Sequence, residues 1–193
     1  MVNPSLLSRL CLGLALLFGA SGLVEAGEEP ATLATCVACH GKNGVGIDPS
    51  YANLGGQNAA YLALQLKAFR SGDRSNPIMN PIAAQLSDQD INALAQWFSE
   101  QPLVTAANGN PDLVEEGRNR AGYCHACHGM QGHPVAVEWP IIAGQSAPYI
   151  QNQLMAFKQG TRYHPLMVNV VKDLEASAMS ALGAYYAQVV RQD

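Results

Sequence analysis

The pattern Cys-x-x-Cys-His occurs twice in this chain, as Cys36-Val37-Ala38-Cys39-His40 and as Cys124-His125-Ala126-Cys127-His128, 88 positions apart. The surrounding sequence keeps that offset without a gap. Gly41, Gly44, Gly56, Gln57 and Tyr61 recur as Gly129, Gly132, Gly144, Gln145 and Tyr149. Gln65, Phe69, Gly72, Arg74, Pro77 and Met79 recur as Gln153, Phe157, Gly160, Arg162, Pro165 and Met167. A constant offset over so many positions is duplication of one folded unit, so the 193 residues divide into two domains.

The cysteines say what each unit holds. Two thiols three positions apart lie on neighbouring faces of one helical turn, where they can add to the two vinyl groups of a single haem. The next residue then presents an imidazole to the iron, which makes Cys-x-x-Cys-His a c-type haem attachment pattern. A zinc ribbon also pairs two Cys-x-x-Cys knuckles, but usually about 15–20 residues apart. A thioredoxin-like redox pair has no need of the same histidine twice. The expected cofactors are therefore two covalently bound haem c groups, on Cys36 and Cys39 with His40, and on Cys124 and Cys127 with His128.

Each unit reads as helical. Asn58 and Ser146 are candidate caps for helices that run over Tyr61, Gln65 and Phe69, or their repeats, and stop at Gly72 and Gly160. Ser87 and Asp90 form a capping-box pattern ahead of Ile91, Leu94, Ala95 and Phe98, which share one helical face and stop before Pro102. The counterpart runs from about Leu174 to Val190. A helix leads into each cysteine pair, with Asp112 as the candidate cap of the second. Nothing alternates long enough to suggest a strand. The fold class is all-α, with domains at 27–101 and 112–193 joined by a linker over 102–111, where Asn108-Gly109-Asn110-Pro111 is turn chemistry.

The sixth iron ligand follows by elimination. Apart from Met1, the first unit has Met79 and no histidine besides His40. The second offers Met130, Met155, Met167, Met179, His133 and His164. Register favours Met167, because His40 to Met79 and His128 to Met167 are both 39 positions. Met155 and Met179 are expected in the core, and Met130 is too close to its own motif to reach the opposite face. His164 remains the competitor; His133 and His164 otherwise face solvent or a haem edge, and His125 the surface. Pro77 suggests an extended, rigid segment before Met79. Histidine–methionine ligation raises the reduction potential relative to two histidines. It also fills both axial positions, which suits one-electron transfer and leaves no place for a substrate at the iron.

The first 26 residues carry Arg9, an apolar run from Leu10 to Ala20 and a small-residue stretch ending at Ala26, the order of a cleaved secretory signal. The apolar run is 11 residues, short of the roughly 20 needed to span a bilayer. Cys11 leaves with it, and the expectation is an exported chain whose remaining four cysteines all hold haem. Eleven basic residues against fifteen acidic ones, with no basic cluster, exclude nucleic-acid binding.

Both Cys-x-x-Cys-His motifs, Gly55-Gly56-Gln57 with Ala143-Gly144-Gln145, and Asn76-Pro77-Ile78-Met79 with His164-Pro165-Leu166-Met167 carry a family resemblance. The exported chain resembles the dihaem cytochromes c4, two class I cytochrome c domains in tandem. The resemblance implies a periplasmic electron carrier with domains related by a pseudo-twofold axis and haem propionates near their interface. It implies electrons taken from a quinol-oxidising complex and passed to a terminal oxidase, so the partners are redox proteins of membrane-bound respiratory complexes. It also implies that the carbonyl of Pro49, nine residues after His40, receives the imidazole N–H. Val137 replaces that proline in the second unit, which suggests a looser loop and two unequal potentials. Arg74 and Arg162 are either propionate contacts or solvated helix-end residues, and Tyr61 and Tyr149 read as buried packing. Two other classes remain: the dihaem subunit of an enzyme such as a flavin-containing sulfide dehydrogenase, and an enzyme in its own right, such as a dihaem peroxidase or thiosulfate dehydrogenase. Methionines in register at both irons speak against the last.

Overall fold

The computed structural model describes residues 29–190. The expected signal sequence over residues 1–26 lies outside them. The helices, in chain order, are α1 (Leu33–His40), α2 (Ala59–Ser71), α3 (Met79–Ala83), α4 (Asp88–Ser99), α5 (Val114–Arg120), α6 (Gly122–His128), α7 (Ala147–Gln159), α8 (Pro165–Val171) and α9 (Ala176–Gln188). A 3-10 turn at Pro111–Leu113 precedes α5. Among the described residues there is no strand, only an isolated antiparallel bridge.

The sequence repeat is a structural repeat. The bounds of α7 are those of α2 moved by 88 positions, and α4 and α9 start at equivalent residues. Each half has its own core. In the first, Leu33, Leu62, Leu86, Ile91, Leu94, Ala95 and Phe98 pack together; in the second, Ala121, Ile150, Leu182 and Tyr186 do. Helix α4 buries the face that its apolar spacing marks and is closed by the full capping box, with the Ser87 hydroxyl accepting from Asp90 N–H and the Asp90 carboxylate accepting from Ser87 N–H. Helices α2 and α7 stop as expected, at Gly72 and Gly160 in the left-handed conformation.

Three local expectations fail, each because a side chain has another partner. Neither Asn58 nor Ser146 caps its helix. Asn58 donates to the Trp139 carbonyl at 2.7 Å and Ser146 donates to the Pro49 carbonyl, so both caps are diverted across the interface between the halves. The turn before α5 is capped by Asn110, which accepts from Asp112 N–H at 3.0 Å, and Asp112 is the residue being capped. The segment before Met79 is not extended: Pro77 and Ile78 form a turn, with the N–H groups of Ile78 and Met79 both donating to Asn76 Oδ1.

The interface is self-complementary. Asn53 N–H donates to Gln145 Oε1, and the Gln145 amide donates back to the Asn53 carbonyl, at 2.8 and 2.9 Å. Ile141 N–H and Gln57 make the same exchange, both bonds at 2.8 Å. Since 141 and 145 are the repeat positions of 53 and 57, this is the reciprocal pairing of a twofold axis. Arg74 and Arg162, also repeat partners, form the isolated bridge and so lie on that axis. The connecting chain crosses both glycine–glutamine corners. A Cβ on Gly56 would lie 2.8 Å from Leu103 Cα, and one on Gly144 would lie 2.2 Å from the Val104 carbonyl oxygen. Both glycines also have φ near +69°, so no other residue fits there without strain.

Candidate functional site

Helix α1 ends in His40 and α6 in His128, so each motif occupies the last turn of a helix. The next residue in each case is a glycine with positive φ, Gly41 or Gly129, which turns the chain away. The His40 ring bonds through Nδ1 to the Ala52 carbonyl at 2.9 Å, and His128 through Nδ1 to the Pro140 carbonyl at 3.0 Å. A carbonyl can only accept, so Nδ1 carries the hydrogen and the lone pair is left on Nε2. Burial lowers the pKa of both rings against the opposing pull of that carbonyl, which keeps them neutral and able to ligate.

This corrects the role expected of Pro49. The acceptor lies twelve residues after the histidine in both halves. A turn over Asp48–Tyr51, with Tyr51 N–H on the Asp48 carbonyl, swings Pro49 out to meet Ser146 and brings Ala52 under the ring. Trp139 N–H on the Ala136 carbonyl closes the same turn in the second half, despite Val137. The proline difference therefore gives no ground for unequal potentials.

One continuous cavity of about 730 Å³ runs across both halves. Cys36, Cys39, His40 and Met79 line it on one side of the axis, and Cys124, Cys127, His128 and Met167 on the other. None of the four cysteines is in a disulfide, and burial pushes the Cys36 and Cys124 thiols up. Met79 opens α3, held by Asn76 Oδ1, which accepts from the N–H groups of Ile78 and Met79 at 2.9 Å. His164 stands at the position of Asn76 and makes no such cap. His164 is exposed and lines the cavity with Met167. Met179 is core, Met130 is exposed, and Met155 is half-buried rather than core. His125 is half-buried, not on the surface. Among the described residues no three His, Cys, Asp or Glu side chains converge on a common point, unlike a zinc site.

The arginines are not solvated helix ends. Arg74 is 8% exposed; its guanidinium lies 4.4 Å over the Phe69 ring and donates to Gln65 in its own half and to Tyr149 and Gln153 in the other. Arg162 lies over Phe157 and donates to Gln153, Tyr61 and Gln65 in mirror fashion. Burial raises the Tyr149 phenol, but the two guanidiniums outweigh it and hold it below its ordinary value. A buried and a half-buried cation whose bonded partners are amides and phenols, on the wall of the cavity, are placed to receive anions from a cofactor in it. Gln57, Gln145, Asn53, Gln65 and Gln153 thus help to build the site; as sequence the glutamines were visible only as repeated letters, and Asn53, whose repeat position holds Ile141, not at all.

Helical halves that each carry Cys-x-x-Cys-His and a methionine on a shared cavity define a class of protein, the tandem cytochromes c. A family model for cytochrome c matches residues 24–101. The chain is 35% identical to the thiosulfate dehydrogenase electron acceptor of Stutzerimonas stutzeri, over 88% of this chain and 85% of that one. It is 30% identical to cytochrome c4 of Pseudomonas aeruginosa, over 93% and 98%. The structure of Acidithiobacillus ferrooxidans cytochrome c4 superposes with a TM-score of 0.75 at 31% identity, covering 80% of this chain and 98% of that one. The chain belongs to the cytochrome c4 family and is an electron carrier of that type, and membership implies covalently bound haem c.

Proposed function

We propose that the chain carries single electrons in the periplasm, with one haem c in each half. Cys36 and Cys39 would hold the first through thioether bonds, with His40 and Met79 as ligands to its iron; Cys124, Cys127, His128 and Met167 would do the same for the second. The supporting observation is the shared cavity, which takes its walls from both ligand sets. Bound haem supplies a one-electron iron couple. The residues' part would be to fix the imidazole tautomer through Ala52 and Pro140, to offer a second ligand in the thioether of Met79 or Met167, and to offset propionate charge with Arg74 and Arg162. The halves 27–101 and 112–193 act as two centres joined by 102–111, and residues 1–26 direct export. Among the described residues no helix is long and apolar enough to cross a membrane.

The donor is a quinol-oxidising complex and the acceptor a terminal oxidase. A second reading, favoured by the relative described as a thiosulfate dehydrogenase electron acceptor, makes the chain the electron-accepting partner of such a dehydrogenase. Spectroscopy of the ferric protein tests the ligands: Met79→Ala loses the first centre's far-red methionine–iron band and keeps that of the second. An unchanged spectrum refutes the assignment. Mild purification separates the two readings, since co-purification with a dehydrogenase supports the second and capture by an oxidase complex supports the first.

A further inference from the structure

The two halves of the cavity wall share their cysteines, histidines, methionines, arginines and glutamines but differ at other positions, and one of the differences lies against a haem-binding cysteine. Helix α9 carries Tyr186 where α4 carries Phe98. Both rings are buried, at 1% and 3% exposure, and both line the cavity. Tyr186 belongs to the core cluster against which Cys124 is seated. Its hydroxyl oxygen is buried without an aligned hydrogen-bond partner, and after burial itself Cys124 is the neighbour that does most to push the phenol up. Burying a phenol without an acceptor costs free energy that phenylalanine avoids. Volume alone does not call for it, since the first half fills the same place with Phe98.

We propose that the Tyr186 hydroxyl donates a hydrogen bond to the Cys124 sulfur of the haem-loaded protein and thereby raises the potential of the second centre above what a phenylalanine would give. The proposal rests on the haem reading above. A thioether sulfur has no hydrogen and can only accept, so attachment removes the competing S–H and leaves Cys124 solely an acceptor for the hydroxyl. A donated hydrogen withdraws electron density from the sulfur and points the positive end of the O–H dipole at the second centre. Both effects favour the reduced state, as hydrogen bonds around a redox metal do. Phe98 does neither, so the hydroxyl, and not the proline after the histidine, is a source of unequal potentials. Tyr186 is a positioning residue, not a ligand.

The test uses the haem-loaded wild type, Tyr186→Phe and Phe98→Tyr. Pyridine haemochrome spectra first count the haems; fewer than two per wild-type chain overturns the underlying haem reading along with this proposal. With two present, a spectroelectrochemical titration resolves two midpoints. Tyr186→Phe lowers one and leaves the other in place; Phe98→Tyr raises the one that Tyr186→Phe left alone. Midpoints unmoved in both variants, or moving together, mean that the hydroxyl only packs, and the proposal fails. Resonance Raman adds a readout that packing does not move. A carbon–sulfur stretch of the wild type shifts on transfer to heavy water, and Tyr186→Phe abolishes the shift. A band indifferent to deuterium overturns the assignment. Should Tyr186→Phe take up one haem only, Phe98→Tyr and the wild-type deuterium shift decide.

Discussion

At the scale of single residues, covalent chemistry is what makes the site readable. The Cys-x-x-Cys-His spacing ties each cysteine to its neighbour and to the histidine, and the common interval of 39 positions is what singles out Met79 and Met167, among six methionines, as the proposed ligands. The groups that hold those ligands leave no such trace. The acceptors for the histidine Nδ1 atoms are the carbonyls of Ala52 and Pro140, supplied by backbone, and any side chain carries the same carbonyl. What matters is the turn that brings the carbonyl under the ring, and that turn forms with Pro49 in one half and Val137 in the other. Pro49→Ala is accordingly expected to leave the optical spectrum and midpoint of the first centre unchanged. The spectrum of the haem-loaded variant checks this. A perturbed first centre would restore the role first expected of Pro49.

Helices were legible where apolar spacing and a local cap agree. Helix α4 shows both, and its capping box is built as Ser87 and Asp90 suggested. Helix α9 starts at the equivalent residue with Glu175 and Ala178 in those places and no side-chain cap. It relies on packing, burying Ala178, Met179, Ala181, Leu182, Ala184, Tyr186 and Ala187. The misread caps, Asn58 and Ser146, have the right residue types in the right places, but their side chains are used by partners some 80 to 100 positions away, which no local pattern reports. Ser87→Ala should lower stability by about 1 kcal/mol, the usual cost of losing such a cap, in chemical denaturation of the haem-loaded protein. The box is also acid-sensitive. The Ser87 hydroxyl and backbone N–H hold the Asp90 carboxyl below its ordinary value. A carboxylate depressed in the folded state stabilises above its unfolded pKa, and the contribution fades as pH falls through the folded one. The difference between wild type and Ser87→Ala should therefore narrow as denaturation is repeated below about pH 4.

For the whole molecule, duplication explains why the interface escaped notice. The repeat makes Gln57 and Gln145 stand out, but their partners lie 84 and 92 positions away. Each glutamine is buried and takes two backbone N–H groups on one amide oxygen: Ile141 and Asn58 on Gln57, Asn53 and Ser146 on Gln145. Each amide also donates across the interface to a carbonyl. Together with the arginine network on the axis, these bonds set the two ligand sets on one cavity, the arrangement a two-centre carrier needs. Gln57→Leu keeps much of the side-chain volume and strands buried backbone groups of Ile141 and Asn58, at about 1–3 kcal/mol for each group that water does not reach. Gln145→Leu should cost a similar amount, because the twofold makes the positions equivalent. The double variant is the informative one. If both glutamines clamp the same interface, opening it at one leaves the other little to hold, and the combined loss in denaturation falls short of the sum. Losses that add would mean that each glutamine only braces its own half, and the halves would then owe their common cavity to the arginine network and the connecting chain.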